Sequence, residues 1–160
     1  MRAMVADPDE RLNDVDIFAA GEREQVLAEW NETSHPFVPA TVIDLFQAQA
    51  LRTPDAPAVE SGGVRLTYAE LNLRVAEVAS RMVSLGAGPE KLVAVALPRS
   101  VDLLVALLAV ARAGAAYLPI DLTYPPERVA FVLDDARPQL MVTSAEVERA
   151  LPSGRTWPGW

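Results

Sequence analysis

The side chains that could do acid–base or nucleophilic chemistry are few and scattered. The 160 residues include one histidine and no cysteine. His35 lies in a proline-flanked segment and has no second ligand candidate beside it that would form a constellation, whereas a catalytic or metal site requires several converging groups. The lack of cysteine excludes disulfides, thiolate catalysis and cysteine-ligated metals. A serine–histidine–acid arrangement is also disfavoured, and we predict that His35 is a surface residue.

The carboxylates do not form an evident catalytic pair. Asp134 and Asp135 are adjacent on a predicted helix, where neighbouring positions face different ways, so at least one is expected to be solvated. Asp121 follows a predicted strand, and functional sites in open α/β sheets cluster at such strand ends. Arg128 is close in sequence to Asp121 and Glu127, and we expect it to form a structural ion pair with one of them.

Two glycine-containing segments match phosphate-binding loops only in part. Gly86 and Gly88 form a Gly-x-Gly pair, but the nucleotide-binding fingerprint requires a strand before the glycines and a helix after them. Here a predicted helix precedes the pair and a predicted strand follows it. Residues 153–156, Ser-Gly-Arg-Thr, have one glycine, no lysine and no following helix. We predict that neither segment binds phosphate and that residues 152–160 form an irregular tail.

The overall charge argues against two classes of partner. A formal net charge of −8 and a pI near 4.6 disfavour binding to nucleic acid and to anionic membrane surfaces. The N-terminus has no apolar core of signal-peptide length, and no segment has the ~20 apolar residues of a membrane-spanning helix. We therefore expect a cytoplasmic protein without nucleic-acid or membrane partners.

Residues 100–121 contain the most apolar helix predicted for the chain. Ser100 is a suitable N-cap and Gly114 is the expected stop after the last turn. Only Asp102 and Arg112 are charged between these two positions, so the helix should be buried on most sides. Strands are predicted directly before and after it, and the three elements form a βαβ unit with a right-handed crossover.

Helical and strand periodicities alternate along the rest of the chain. We predict helices over residues 20–30, 41–52, 68–85, 101–113, 127–136 and 145–151, and strands over 58–60, 64–67, 92–97, 115–120 and 139–143. Thr41, Thr67 and Ser144 are the predicted caps, with Glu70 completing a capping box on Thr67. The order of elements predicts an α/β fold: a mostly parallel sheet of about four strands flanked by helices, with a small hairpin.

Several of these helices have apolar residues at helical spacing. The residues that share a side are Val26, Leu27 and Trp30 in the first helix; Val42, Leu45, Phe46 and Gln49 in the second; and Leu71, Val75, Val78, Ala79 and Met82 in the third. In the fifth helix, Val129, Phe131, Val132 and Leu133 are available for packing. The first of these faces is too small to stand alone, so that helix should dock onto another domain.

Three segments resemble core motifs of one enzyme family. Residues 109–121, Ala-Val-Ala-Arg-Ala-Gly-Ala-Ala-Tyr-Leu-Pro-Ile-Asp, resemble the second core motif of the adenylation domains of nonribosomal peptide synthetases. Residues 66–71, Leu-Thr-Tyr-Ala-Glu-Leu, are similar to the first core motif. Residues 124–128, Tyr-Pro-Pro-Glu-Arg, follow the second motif as they do in that family. These matches, in this order, make residues 41–144 similar to the adenylate-forming superfamily.

The resemblance implies an incomplete N-terminal subdomain of an adenylate-forming ligase. The complete domain would use ATP and Mg to activate an amino acid as aminoacyl-AMP and pass it to a carrier-domain thiol. In that family the second motif is mainly structural, so we do not predict a catalytic Asp121. We expect Tyr68 and Tyr117 to be packing residues as readily as functional ones.

The family parts that handle ATP and the amino acid have no match within residues 1–160. They are a Ser/Thr/Gly-rich loop ending in lysine, an amino-acid pocket, and a lysine from a mobile C-terminal subdomain. Adenylation also requires cations and N–H donors that stabilise developing phosphate charge. We predict no catalytic, cofactor-binding or metal-binding residue in this chain, and no adenylation by the chain alone.

A weaker resemblance extends upstream. Glu22-Arg23 and residues 30–33, Trp-Asn-Glu-Thr, resemble the linker between a condensation domain and an adenylation domain. We therefore divide the chain into residues 1–40, a linker with one amphipathic helix; residues 41–151, a partial AMP-binding domain; and residues 152–160, the tail. The implied partners are neighbouring condensation, adenylation and carrier domains.

Two alternatives to an enzyme fragment fit the same residues. The first is a non-catalytic docking module, which the apolar face of the first helix and the tail tryptophans suit. The second is a truncated product without a present role. An incomplete sheet should have an open edge and an exposed apolar face. We therefore expect the isolated chain to be marginally stable or to self-associate.

Overall fold

The computed structural model describes residues 18, 19, 21–36 and 39–150. The predictions made for residues 1–17 and for the tail lie outside this part of the chain. The chain divides into two units, Met1–Pro39 and Ala40–Trp160. The described residues of the first unit form a short helix, α1 (Glu22–Leu27), and a 3₁₀ turn (Glu29–Asn31).

The prediction of one continuous helix over residues 20–30 is wrong. The chain leaves regular helical geometry at Ala28, between α1 and the 3₁₀ turn. The Asn31 side-chain amide donates hydrogen bonds to the carbonyl oxygens of Val26 at 2.7 Å and Leu27 at 3.3 Å. These acceptors are satisfied locally, so α1 can end without a further helical turn.

The second unit alternates helices and strands in the predicted order. Its helices are α2 (Val42–Arg52), α3 (Tyr68–Ser84), α4 (Val101–Arg112), α5 (Pro126–Ala136) and α6 (Ala145–Ala150), and its strands are β1 (Pro57–Ser61), β2 (Val64–Thr67), β3 (Leu92–Ala96), β4 (Ala116–Pro119) and β5 (Leu140–Thr143). The predicted α/β class is confirmed. None of the helices in the described ranges combines the length and apolar character needed to cross a membrane.

The described strands form two separate sheets. β3 lies at the centre of a parallel sheet with the order β4-β3-β5. β1 and β2 pair only with each other, as an antiparallel hairpin. Gly62 and Gly63 join them with φ of 58° and 80°, which is the backbone of a tight two-residue hairpin turn. The parallel sheet therefore has three strands in the described residues, where about four were predicted.

Helices cover both faces of the parallel sheet. Val93 and Val95 pack with buried residues of α3 and α4 in the larger core cluster. Ala94 and Ala96 lie on the opposite face, where they pack with buried residues of α5. β3 is thus buried on both faces, as its nearly continuous apolar sequence predicted.

Predicted caps begin three of the long helices. Thr41 with Asp44 and Thr67 with Glu70 form capping boxes at α2 and α3. The Ser100 hydroxyl accepts the Leu103 N–H of α4 at 3.2 Å. These side chains satisfy backbone groups that have no partner inside the helix.

Only part of the apolar face predicted for α2 is the face that packs. Ile43 and Phe46 pack against the core and Ala50 is buried, whereas Val42 and Leu45 are 69% and 60% exposed. Two neighbouring stripes of this helix both have helical spacing, so periodicity alone cannot choose between them. The packing face of α3 was predicted correctly: Leu71, Val75, Ala79 and Met82 are buried and Val78 packs beside them.

Candidate functional site

The carboxyl ends of β3, β4 and β5 lie at one end of the sheet, and a site is expected there. β3 leads through α4 to β4 on one side, and β4 leads through α5 to β5 on the other side of β3. Ligands of open α/β sheets bind at such reversals of strand order. Two concave regions lie at this carboxyl end of the sheet.

The first region, the edge groove, lies between α4 and β4. Its volume is about 540 Å³, within the range of small-molecule sites. Its walls are mainly apolar, with Arg99, Asp121 and two tyrosines among them. The lining residues are Val95, Leu97, Pro98, Arg99, Leu103, Leu107, Tyr117, Pro119, Ile120, Asp121, Leu122 and Tyr124.

The second region, the switch cleft, lies between the ends of β3 and β5 and has a volume of about 320 Å³. It is lined by Val78, Leu97, Asp102, Val105, Ala106, Val142, Thr143 and Ser144. The Ser144 hydroxyl accepts the Val147 N–H at 3.3 Å and so caps α6. Asp102 is exposed in the first turn of α4, where its charge opposes the approach of an anion to the helix N-terminus.

The Asp121 carboxylate is engaged in its own turn. Its Oδ1 accepts hydrogen bonds from the Thr123 backbone N–H and hydroxyl, both at 2.8 Å. These two bonds, the backbone one foremost, hold the pKa of Asp121 below its ordinary value. A carboxylate stabilised in this way is a weak proton acceptor, so Asp121 suits a structural role better than a general-base role.

The residues considered as catalytic candidates do not converge in the described part of the chain. His35 is exposed in the first unit. Asp134 and Asp135 are both exposed on α5. No group of three or more histidine and acidic side chains among the described residues could hold a metal ion.

The two tyrosines considered have different environments. Tyr68 is half-buried, and its ring centroid lies 6.2 Å from that of Phe46, so it is a packing residue. Tyr117 is 54% exposed and lines the edge groove.

The ion pair expected for Arg128 does not form with either acid. The Arg128 guanidinium instead lies over the Phe131 ring, 5.4 Å from its centroid, a favourable contact between a cation and an aromatic face. Phe131 is 61% exposed, so the prediction that it is available for core packing is also wrong. Arg128 covers part of a ring that the core does not take up.

The glycine pair ends a helix. The Gly86 N–H donates to the Val83 carbonyl at 3.0 Å, and the Ala87 N–H donates to the Met82 carbonyl at 2.9 Å. This is the hydrogen-bond pattern of a glycine C-cap. A helix precedes the pair and a strand follows it, as predicted, so these N–H groups complete α3.

Sequence reasoning did not predict the edge groove. Leu103 and Leu107 of α4 line it, although the apolar composition of this helix predicted burial on most sides. The available signal was Arg99 and Tyr124, a charged and an aromatic residue placed beyond predicted strand ends. The Arg99 guanidinium beside this apolar groove could bind an anionic ligand or pack against the groove wall. The described residues bring together no nucleophile–base pair there.

Comparison with known families identifies the chain. Residues 46–156 match the model of a family described as AMP-binding enzyme, which is more than half of the chain. The chain belongs to the AMP-binding enzyme family. The resemblance predicted from the core motifs is therefore confirmed.

The curated proteins similar to this chain include peptide synthetases that are much longer than it. A dimodular nonribosomal peptide synthase of Bacillus subtilis (strain 168) is 43% identical over 152 residues, 95% of this chain. The chondramide synthase cmdD of Chondromyces crocatus is 42% identical over 156 residues, also 95% of this chain. The matched regions are only 6% and 4% of these relatives' lengths.

Solved structures of related enzymes have the same fold. The nonribosomal peptide synthetase FmoA3, in a form bound to alpha-methyl-L-serine-AMP, is 37% identical with a TM-score of 0.73 over 84% of this chain and 16% of that chain. The Klebsiella oxytoca NpsA N-terminal subdomain is 25% identical with a TM-score of 0.65 over 71% of this chain and 28% of that chain. The elements described above therefore correspond to part of an N-terminal subdomain.

Proposed function

We propose that residues 41–151 are part of an amino-acid adenylation domain of a nonribosomal peptide synthetase. The complete domain would activate an amino acid with ATP as aminoacyl-AMP for transfer to a carrier-domain thiol. The observation that carries this proposal is the 37% identity, at a TM-score of 0.73, with a synthetase structure that holds alpha-methyl-L-serine-AMP. The order of the three core motifs supports the same assignment.

The described residues suit the scaffold of that domain rather than its reacting centre. They do not fit ATP and Mg: no carboxylate cluster in the described ranges suits a divalent cation, and Asp102 lies at the start of α4 beside the switch cleft. The groups that bind ATP, Mg and the amino acid would be supplied elsewhere in the complete domain. We assign no catalytic, cofactor-binding or metal-binding role to a residue of this chain.

We further propose that residues 1–40 are a linker to a preceding condensation domain and that residues 152–160 are a tail outside the folded part. The support is the Glu22-Arg23 and Trp30 sequence pattern and the division of the chain near residue 40. Neighbouring condensation, adenylation and carrier domains would be the partners, in the cytoplasm.

The test is amino-acid-dependent ATP–pyrophosphate exchange by the polypeptide that carries this sequence in its source cells, captured with an antibody against the second unit. We expect exchange with one amino acid or a few related ones. If no amino acid supported exchange by a polypeptide that remained intact and folded, the proposal would be contradicted.

A docking role is the second candidate function. Leu27 and Trp30 are 60% and 66% exposed in the first unit, and exposed aromatic and apolar side chains often anchor protein interfaces. Capture experiments with the chain and with the Trp30→Ala variant would test it. A partner lost with the variant supports docking, and recovery of no specific partner at native concentrations argues against it.

A further inference from the structure

Within the part of the chain that the structure describes, the outer edge of β4 is an open sheet edge. β4 pairs with β3 on one side, and no strand in the described residues pairs with the other side. Ala116, Tyr117 and Pro119 are exposed. The opposite edge strand differs, because Leu140, Met141 and Val142 of β5 are only 3%, 4% and 7% exposed. Of the two edge strands among the described residues, β4 is therefore the accessible one.

Backbone hydrogen bonds define which groups of β4 point outward. The Ala116 N–H donates to the Lys91 carbonyl at 2.9 Å, and the Ile120 N–H donates to the Val95 carbonyl at 3.0 Å. Backbone groups alternate in direction along a strand. Tyr117 and Pro119 consequently direct their backbone groups away from β3.

Proline has no backbone N–H, so Tyr117 supplies the single outward donor within Ala116–Pro119. An incoming strand would need a donor at both outward positions to form a regular ladder with β4. Proline is confined to edge strands and bulges for this reason, and natural sheets use it to prevent edge pairing.

We propose that Pro119 blocks strand addition to β4 and so prevents edge-to-edge pairing with a second copy of this chain. The need for such a block is visible beside the strand, where Leu103, Leu107 and Tyr117 line the apolar edge groove. An unblocked edge next to an apolar surface is an aggregation site. The sequence predicted that the isolated chain is marginally stable or that its copies associate. With Pro119 in place, we expect this association to use side-chain contacts and not hydrogen bonds between β4 strands. This inference does not depend on the proposed adenylation function.

The experiment compares the 160-residue chain with Pro119→Val and with a control, Pro98→Val. Both prolines are exposed and line the edge groove, but Pro98 lies outside the strand. Sedimentation velocity over a concentration series gives the strength of self-association. Amide hydrogen exchange of Tyr117, in the same series, reports whether the outer edge is paired. Circular dichroism verifies that each variant is folded.

We expect Pro119→Val to self-associate about tenfold more strongly than the parent, since it restores an edge hydrogen bond. We also expect its Tyr117 amide to become protected as concentration rises. The parent and Pro98→Val should leave that amide exchanging freely. Equal association of Pro119→Val and Pro98→Val would overturn the proposal. So would concentration-dependent protection of Tyr117 in the parent chain, a measurement that requires no variant.

Discussion

Thr67 and Glu70 fix the first turn of α3 by exchanging hydrogen bonds. The Glu70 carboxylate accepts the Thr67 N–H at 2.8 Å, and the Thr67 hydroxyl accepts the Glu70 N–H at 3.2 Å. Two unpaired backbone donors at the helix start are thereby satisfied. Because α3 also contains the fully buried Val75 and Met82, its start affects the stability of the core.

Replacement of Thr67 by alanine should lower the free energy of unfolding by about 1 kcal/mol, the usual cost of losing an N-cap hydroxyl. Urea denaturation of the chain monitors the loss. The control is Ser80→Ala, an exposed hydroxyl in the middle of the same helix, which should change stability by less than about 0.5 kcal/mol. Equal effects of the two substitutions would mean that the cap does not stabilise α3.

The capping carboxylate also makes stability depend on pH. The backbone hydrogen bond from Thr67, and then its side-chain bond, hold the pKa of Glu70 below its ordinary value. A folded-state pKa below the unfolded one contributes stability at neutral pH that is lost as the pH falls through about 4.3 and below. The pKa of Asp44 is lowered by the Thr41 side-chain hydrogen bond and then its backbone one, and the pKa of Asp121 by the Thr123 backbone hydrogen bond and then its side-chain one, so both groups add to the trend.

We therefore expect Glu70→Gln to make the melting temperature decrease less steeply between pH 6 and pH 3. Asp44 and Asp121 remain in this variant, so part of the decrease should persist. Glu77→Gln, at an exposed position of the same helix, is the matched control and should keep the parent slope. Parallel pH profiles for the Glu70 and Glu77 variants would show that the capping box has no linkage to pH.

At the scale of elements, glycine C-caps set how α3 and α4 pass into strands. Gly86 and Gly114 have φ of 96° and 74°, a region that costs other residues about 1–2 kcal/mol. The Gly114 N–H donates to the Ala111 carbonyl and the Ala115 N–H to the Val110 carbonyl, both at 3.1 Å. The chain therefore reverses directly from α4 into β4.

Gly114→Ala should destabilise the chain by about 1–2 kcal/mol through backbone strain alone. The added Cβ would lie 3.7 Å from Pro89, an ordinary contact, so no steric clash confuses the result. Gly88→Ala is the control because no atom lies within 4 Å of its added Cβ and its φ is not in the left-handed region. If Gly114→Ala were no more destabilising than Gly88→Ala in urea denaturation, the cap assignment would be wrong.

Elements with strong local signals could be predicted from the sequence. Ser100 and Gly114 bracket α4 to within a residue, because a cap hydroxyl and a left-handed glycine act within one turn. The break at Ala28 and the packing face of α2 depend on contacts that periodicity does not contain. The Asn31 side chain accompanies the first, and packing of Ile43 and burial of Ala50, both outside the predicted face, accompany the second.

The candidate site was less predictable than the elements. Its location at the carboxyl ends of the strands follows from strand order. The edge groove, however, depends on how much of β4 is left uncovered by α4. This extent is set by helix–sheet packing, and no residue in the sequence indicates it. The family resemblance predicted the fold because Tyr117, Pro119 and Asp121 lie within a motif that occurs in the order typical of the family. The scaffold role of these residues stays a prediction.

At the scale of the whole molecule, apolar side chains remain accessible on several elements. Leu45, Leu51, Tyr117 and Phe131 are between 54% and 84% exposed. We expect the isolated chain to self-associate through such side chains, so its sedimentation coefficient should rise with concentration. A cooperative monomer with a sharp melting transition at all concentrations would contradict this expectation.

The central proposal is that this chain provides scaffold elements of an adenylation domain and does not perform adenylation by itself. The most direct test is ATP–pyrophosphate exchange by the purified 160-residue chain with each proteinogenic amino acid and Mg²⁺, after circular dichroism has established that the chain is folded. We predict no exchange above the enzyme-free background. Amino-acid-dependent turnover above that background would contradict the account and would place a catalytic centre within this chain.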